Sequence, residues 1–284
     1  MKKEDAKRTI TPELISGYAV YLWEQEKAPA TIEKYTHDLK ALCGWLDGAG
    51  ITKAALVSWK EHLKEQYAAA SVNTILAAAN GFLTFCGWTD CKVKPLKIQR
   101  NLFCRADKEL TRGEYVRLVR AAERAGDSRL SLILQTICAT GIRVSELQFI
   151  TLEAARTGRA EVCNKGKRRA VFLPDKLCRA LLRFAGKKRT AGAVFITRGG
   201  KPLDRSNVWR SMKSLCERAG VAPAKVYPHN LRHLFARVFY ALQKDLSRLA
   251  DLLGHASVNT TRIYTAESGA EHARLIGRMG LVIT

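Results

Sequence analysis

Six side chains in the C-terminal two-thirds of the sequence have the chemistry needed to attack a phosphodiester bond without a metal ion. Two arginines could grip the non-bridging oxygens and stabilise the charge of a pentacoordinate transition state. A tyrosine, whose unperturbed pKa is near ~10, could attack phosphorus if a neighbour helps it to lose its proton. A lysine could protonate the 5′-oxygen, which is a poor leaving group. The six candidates are Arg143, Lys165, His229, Arg232, His255 and Tyr264.

Two of these residues also have ordinary structural explanations. Arg143 follows Thr140-Gly141 at the start of a short apolar helix, where a partly buried guanidinium needs an anion. That anion could be a phosphate or the carboxylate of Glu146. A tyrosine at helical spacing, such as Tyr264, is more often part of a core than a nucleophile.

The histidines leave a metal site as a further alternative. His229 and Arg232 lie three residues apart, on one face of a helix. His229 and His233 are four residues apart, which is the spacing of two zinc ligands. The zinc-protease motif requires a glutamate after its first histidine, but Asn230 occupies that position and no third ligand is evident. We therefore expect no metal and no other cofactor.

The first hundred residues predict a helical bundle. Thr11-Pro12 supplies an N-cap followed by proline at the first helical position. Apolar residues recur at helical spacing in four segments. The first begins at residue 12, and the others cover residues 31–46, about 53–66 and about 71–86. Short links between four helices are typical of a small bundle. The basic segment 92–108 predicts a linker, either an ordinary surface loop or a strap along a phosphate backbone.

The rest of the chain predicts further helices and one β-hairpin. Thr111 and Glu114 form a capping-box pattern at the start of a helix, and another helix covers about 128–138. Two strand-like runs, residues 160–163 and 170–173, flank a basic turn. Helical patterns then resume at three points, which are Asp175, Asp204 and Pro228.

The charge of the chain favours a polyanionic partner. Its 284 residues include 48 Lys and Arg against 26 Asp and Glu, a formal net charge of +22. Residues 1–104 have 14 basic and 11 acidic residues, whereas residues 105–284 have 34 and 15, so the excess lies in the second part. Nucleic acid is the first candidate, because Lys and Arg release condensed counterions from phosphates. A merely basic surface is the alternative, and no basic amphipathic helix indicates a membrane.

The composition is typical of a folded, cytoplasmic protein. A hydrophobic content of 47% is enough to build cores. No apolar run approaches the ~18 residues of a membrane span, and the charged N-terminus does not resemble a signal peptide. None of the eight cysteines forms a C-x-x-C pair, so we expect reduced thiols rather than disulfides or a zinc site.

The order and spacing of the candidates resemble the tyrosine recombinase family, also called phage integrases, and most closely its Xer-like and mobile-element members. The family string T-G-x-R-x-S-E-L occurs around Arg143, and H-x-x-R-H spans His229–His233 with its first and fourth residues in the catalytic places. The strings L-G-H and T-T-x-x-Y-T give His255 and Tyr264. The intervals of 23 residues from Arg232 to His255, and of 9 from His255 to Tyr264, also match.

The hairpin departs from the family string G-K-G-x-K-x-R, whose first lysine is catalytic. Asn164 replaces the first glycine, and the turn is shorter. By the resemblance, Lys165 is the catalytic lysine and Lys167 is the alternative. Basic residues around the tip are expected to contact DNA, namely Lys167, Arg168 and Arg169. Glu146 matches an acidic helper that would orient nearby basic groups, and His233 takes a supporting place.

The resemblance implies a mainly α fold with a small β-sheet (α+β). Residues 1–92 would form a SAM-like, core-binding helical bundle, and residues 93–108 a linker. Residues 109–284 would form the tyrosine recombinase catalytic domain. Both domains would close on double-stranded DNA as a C-shaped clamp. A tail helix at 270–279 would dock on a neighbouring protomer, or else pack on its own domain.

The activity implied is site-specific DNA recombination without metal or ATP. Tyr264 would form a 3′-phosphotyrosine link, and Lys165 would protonate the freed 5′-oxygen. His229 would act as general acid/base, while His255 would hydrogen-bond a phosphate oxygen. Four copies on two inverted-repeat sites, alone or with a partner recombinase, would exchange strands through a Holliday junction.

Three other functions compete with this interpretation. A type IB topoisomerase uses the same chemistry, but the Xer-like spacing argues against it. A DNA-binding regulator without catalysis would not need the complete set of candidate residues. A metalloenzyme would have to be built on His229 and His233.

Overall fold

The computed structural model describes residues 8–98, 108–164, 166–186, 189–197, 199–255 and 257–262. The chain folds as two compact units, residues 1–100 and 101–284. Lys165, Tyr264 and the tail 270–284 lie outside the described residues, as does the side chain of Lys167.

The described part of the N-terminal unit contains the four predicted helices. They are α1 (Pro12–Glu24), α2 (Pro29–Leu46), α3 (Lys53–Gln66) and α4 (Ala69–Phe85). Thr11 caps α1 as predicted, since its hydroxyl accepts a hydrogen bond from the Leu14 amide. Helix α2 begins two residues earlier than predicted, because Pro29 occupies its first position, where the missing N–H of proline costs nothing.

The four helices bury one apolar core and hold the chain that follows them. Leu39, Leu56 and Phe82 are fully buried between the helices. The Asn80 side chain donates to the carbonyl of Val93 at 2.8 Å and accepts from its amide at 3.0 Å. Asn73 and Leu96 are paired in the same way. The first residues of the predicted linker therefore lie along α4, as part of the N-terminal unit.

The second unit is mainly helical, as predicted. Its described helices are α5 (Arg112–Arg124), α6 (Ser128–Thr140), α7 (Leu152–Thr157), α8 (Asp175–Ala185), α9 (Arg205–Ser214), α10 (Cys216–Ala219), α11 (Pro228–Gln243), α12 (Leu246–Leu253) and α13 (Val258–Arg262). Short 3₁₀ helices cover Val144–Phe149 and Pro223–Lys225, and another, Thr89–Cys91, follows α4 in the N-terminal unit. The capping box of α5 is present, with Thr111 and Glu114 bonded reciprocally.

One antiparallel hairpin interrupts the helices at the predicted place. Strand β1 (Arg159–Asn164) pairs with β2 (Lys167–Phe172), and Asn164 lies opposite Lys167. Gly166 has a φ of +75°, which glycine adopts without strain. The inward side chains of the hairpin, such as Val162 and Val171, join the main core of the unit.

Helix α6 is the centre of that core, with Leu134 and Ile137 fully buried. It packs against α5, α8 and α11, and so brings its C-terminal end beside α11. A smaller apolar cluster joins α11 to α12 through Ala236, Leu249 and Leu253. The ends of α6 and α12 thus meet at the first turns of α11. No helix in the described part of the chain is long and apolar enough to span a membrane.

Candidate active site

Arg143 lies at the point where α6 gives way to a 3₁₀ helix. Gly141 ends α6 with a φ of +66°, and the 3₁₀ helix begins directly after Arg143. The Glu146 carboxylate accepts from the Arg143 amide at 2.8 Å and from its Nη1 at 3.0 Å. Glu146 is 1% exposed, whereas the Arg143 side chain is 34% exposed. The carboxylate therefore fixes the direction of a guanidinium that still faces solvent.

Arg232 lies in the second turn of α11 and is 1% exposed. Its Nη1 donates to the carbonyl oxygen of Gly141 at 2.6 Å, and its Nη2 to that of Leu253 at 2.7 Å. Gly141 is the C-cap residue of α6 and Leu253 is the last residue of α12, and carbonyls at helix C-termini lack partners within their own helix. One buried guanidinium therefore joins the ends of two helices.

His255 contacts both Arg232 and the segment that leads to residue 264. Its Nε2 lies 2.9 Å from Arg232 Nη2, and its Nδ1 lies 2.8 Å from the Thr261 hydroxyl. A guanidinium can only donate, so Nε2 accepts and the proton of the neutral ring is assigned to Nδ1. Burial and then the charges of Arg232 and Arg143 lower the pKa of His255 to about 4. The ring is therefore neutral at pH 7.

Two further histidines lie on consecutive turns of α11. The rings of His229 and His233 are 4.6 Å apart and meet edge to face. Partial desolvation, followed by Arg232, Arg143 and Arg205, lowers the pKa of His229. Burial lowers the pKa of His233 to about 3, with His229 as the next cause. The surrounding arginines thus create a positive potential that favours a bound anion over charged imidazoles.

Asn230 has a structural role between the two histidines. It is buried, and its side-chain amide donates to the carbonyl oxygens of Lys108 and Lys225 at 3.0 Å and 2.7 Å. Within the described ranges, no group of three or more histidine, cysteine or acidic side chains is arranged to hold a metal ion.

The hairpin contributes Arg169, although not in the expected way. Its side chain is 13% exposed and donates from Nη2 to Glu146 at 2.6 Å. Its Nη1 donates to the carbonyl oxygen of Leu252 at 3.1 Å. The guanidinium of Arg169 is thus turned into the protein, and the expectation that Arg169 contacts DNA stays a prediction. Arg168, which precedes Arg169 on β2, is exposed.

The structure gathers most of the described candidates into two neighbouring hydrogen-bonded groups, which bind the consecutive carbonyls of Leu252 and Leu253. Glu146 joins Arg143 to Arg169, and Arg232 joins His255 to Gly141. His229 lies close enough to Arg232 and Arg143 for their charges, after desolvation, to lower its pKa. Sequence reasoning missed the Thr261 hydroxyl, the Gly141 and Leu253 carbonyls, and the inward direction of Arg169. The position of Thr261 in the T-T-x-x-Y-T string was the available signal for one of them.

Two sequence profiles of known families match the chain, and curated relatives cover most of it. The sequence profile described as "Phage integrase family" matches residues 108–271, and that of "Phage integrase, N-terminal SAM-like domain" matches residues 15–89. Tyrosine recombinase XerD of Xanthomonas campestris is 32% identical, over 91% of this chain and 88% of its own. Tyrosine recombinase XerA of Thermococcus kodakarensis is 29% identical, over 92% of this chain and 93% of its own.

Solved structures share the fold at lower sequence identity. A lambda integrase dimer bound to a COC′ core site has a TM-score of 0.72 at 19% identity, covering 91% of this chain and 78% of its own. The XerH recombinase bound to a difH substrate has a TM-score of 0.68 at 19% identity, covering 94% and 85%. The family profile, the identity to Xer proteins and the shared fold lead to one conclusion: the chain belongs to the phage integrase family, the tyrosine recombinases.

Proposed function

We propose that the chain is a site-specific DNA recombinase that cuts and rejoins strands through a 3′-phosphotyrosine link to Tyr264. The observation that carries this proposal is the joining of Arg232, His255 and Thr261. These contacts tie a buried cation to a segment that is three residues from Tyr264 in sequence. A phosphate bound by the arginines would therefore lie near the attachment of the nucleophile to the fold.

The two proposed phosphate-binding arginines are supported in different ways. Arg232 is fixed by backbone carbonyls, and Arg143 by the Glu146 carboxylate. Fixed donors need little reorganisation when charge develops on the phosphate, which is the basis of electrostatic catalysis. Together they would hold the non-bridging oxygens and stabilise the pentacoordinate transition state.

The neutral imidazole of His229 can accept the first proton of the reaction. His229, with its lowered pKa, is a base at pH 7 and would accept the phenolic proton as Tyr264 attacks phosphorus. The bond from phosphorus to the 5′-oxygen then breaks, and Lys165 would give its proton to that oxygen, with Lys167 as the alternative. The reverse sequence, with the 5′-hydroxyl of another strand as nucleophile, restores a phosphodiester and frees Tyr264.

His255 would change its hydrogen bonding when DNA binds. In the structure its Nε2 accepts from Arg232. A bound phosphate would bring negative charge that raises the pKa of the ring, so that Nε2 would be protonated and donate to a phosphate oxygen. The Nδ1–H donated to Thr261 would stay in place.

The partners and domain roles are proposed from the relatives. Some structures with this fold are complexes with DNA, including a lambda integrase tetramer bound to a Holliday junction. We assign residues 1–92 to core-site binding, 93–108 to the linker and 109–284 to catalysis. The chain would act in the cytoplasm as a homo-tetramer on two inverted-repeat DNA sites, alone or with a partner recombinase, and the tail 270–284 would dock between protomers.

The proposal is tested by covalent trapping on a randomised duplex library carrying bridging 5′-phosphorothiolates. A sulfur leaving group needs no acid and rejoins poorly, so an adduct accumulates. We expect the wild type, but not Tyr264→Phe, to retain enriched DNA after denaturation, with or without EDTA. Tight binding of selected DNA with no adduct would favour a regulator instead, and an adduct abolished by EDTA would favour a metalloenzyme.

A further inference from the structure

We propose that Arg169 is a positioning residue for the active site, and this inference rests on the proposed function. Its guanidinium joins three elements, because strand β2 carries it, Glu146 accepts from it at 2.6 Å, and the Leu252 carbonyl accepts at 3.1 Å. Arg169 therefore connects the base of the hairpin to the carboxylate that orients Arg143 and to the end of α12.

The ion pair between Arg169 and Glu146 is largely buried. Glu146 is 1% exposed and Arg169 is 13% exposed, so solvent screens their ion pair little. Removing one partner of a buried ion pair costs folding free energy, whereas an ion pair on the surface contributes little to stability. Glu146 also binds Arg143, so a loss of Arg169 would change the carboxylate that fixes the Arg143 guanidinium.

The turn that presents His255 is built round the Arg169 side chain. Gly254 has a φ of +65°, and a Cβ added there would lie 2.6 Å from Arg169 Cδ. The amides of Gly254 and His255 donate to the carbonyls of Asp251 and Ala250, both at 3.0 Å. The Arg169 side chain therefore supports one face of the turn, and its removal would leave an open space beside Gly254.

Arg168 is the matched control for this inference. It is the adjacent residue on β2, carries the same charge and is exposed, since neighbouring strand residues face opposite sides of the sheet. Arg168→Gln and Arg169→Gln thus remove the same charge from the same strand. A difference between them separates a positioning role from a general electrostatic one.

The first measurement is amide hydrogen exchange on the full chain without DNA. We expect Arg169→Gln to accelerate exchange at Gly254 and His255, while Arg168→Gln leaves both at the wild-type rate. Arg169→Lys should not restore protection, because an ammonium cannot reproduce the planar fork that reaches Glu146 and Leu252 together. Unchanged exchange at both amides in Arg169→Gln would overturn the proposal, whatever the activity of the protein.

The second measurement is the single-turnover rate of adduct formation on the duplex selected by phosphorothiolate trapping. We expect Arg169→Gln to lower the rate at saturating protein by about 10- to 100-fold, with little change in the half-saturating concentration. Arg168→Gln should instead weaken binding and reduce the salt slope by about one. The double variant with Glu146→Gln should lose less rate than the two single losses combined, because part of the effect of Arg169 passes through its contact with Glu146.

The outcomes separate the two proposals. Additive rate losses in the double variant, or an equal loss for Arg168→Gln and Arg169→Gln, would overturn the positioning role while leaving the recombinase function in place. Accelerated exchange in Arg169→Gln, together with no adduct from the wild type on any duplex, would support the structural connection and count against the proposed function itself.

Discussion

Arg232 Nη2 and His255 Nε2 lie 2.9 Å apart, and this hydrogen bond determines the protonation of the histidine. The guanidinium donates, so the imidazole nitrogen must accept, and the other nitrogen carries the proton toward Thr261. Burial, and then the charge of Arg232, lower the pKa of His255, since both disfavour the charged ring. The contact with Arg232 therefore sets the hydrogen bonding of a histidine that the proposed mechanism uses.

The pKa of His255 predicts a pH dependence of stability. The folded protein holds this pKa at about 4, compared with 6.5 for the unperturbed ring. Between these values the unfolded chain binds more protons, so the stabilising contribution of neutral His255 is complete above pH 6.5 and is lost as the pH falls toward 4. The excess stability of the wild type over His255→Gln should shrink across this window.

Urea unfolding of the two proteins across that window measures the difference. His233, whose pKa is lowered to about 3, contributes to both proteins and cancels in the comparison. Parallel stability curves for wild type and His255→Gln would contradict the assignment of a neutral ring to the folded state.

Thr261→Val should weaken the link between His255 and the segment leading to Tyr264. Valine has nearly the shape of threonine but cannot accept the Nδ1–H proton, and Thr261 is fully buried. We expect a loss of about 0.5–1.5 kcal/mol in the free energy of unfolding, the net contribution of a typical hydrogen bond, because the Nδ1–H of the half-buried His255 loses its acceptor. Adduct formation should also slow.

Thr260→Val is the control for this change, because Thr260 is the adjacent residue and is exposed. It should leave both the unfolding free energy and the rate of adduct formation near the wild-type values. Equal effects of the two substitutions would show that the hydroxyl bond to His255 has no special role.

Gly254→Ala should be more damaging than an alanine at a comparable helix end. Gly220 also ends a helix, with a φ of +58°, but a Cβ there meets nothing within 4 Å. Gly220→Ala should cost about 1–2 kcal/mol of unfolding free energy, from the left-handed backbone alone. Gly254→Ala should cost more, and it alone should slow adduct formation, because its Cβ displaces Arg169. Chemical denaturation and trapping rates measure the two effects, and equal costs would contradict the packing argument.

Lys165→Ala should show whether this lysine is the proton donor. With an ordinary phosphodiester, we expect strand cleavage to fall by about 10²- to 10⁴-fold, the range of general acid catalysis. With a bridging 5′-phosphorothiolate the rate should return close to that of the wild type, because a thiolate leaves without an acid. If Lys167→Ala, rather than Lys165→Ala, shows this pattern of loss and recovery, the roles of the two lysines are exchanged.

Much of the fold could be predicted because local signals agreed with the tertiary structure. The prediction of α3 over residues 53–66 is confirmed at both ends, and the capping box at Thr111 and Glu114 is present. The start of α4 at Ala69, two residues before the predicted start, reflects a helix end with no capping side chain to mark it. Periodicity identified these helices, but it could not show that residues 93–96 lie along α4.

The active site was harder to predict where it depends on the direction of a side chain and not on the type of residue. Motif order identified Arg143, Arg232 and His255, but no motif shows which side of a strand faces the protein. Arg169 was expected on the DNA-facing tip because it follows other basic residues, and a one-residue change of register reverses the face. The carbonyl partners of Arg232 carry no sequence signal, since every residue has a carbonyl group.

Peptide mapping of the trapped adduct shows which residue becomes covalently attached to DNA. The adduct formed on the bridging phosphorothiolate duplex is digested with nuclease and trypsin, and the modified peptide is sequenced by mass spectrometry. We expect a phosphonucleotide on Tyr264, in the peptide 263–274, IYTAESGAEHAR, and none in Tyr264→Phe. A phosphonucleotide on any other residue, or an undiminished adduct in Tyr264→Phe, would contradict this expectation.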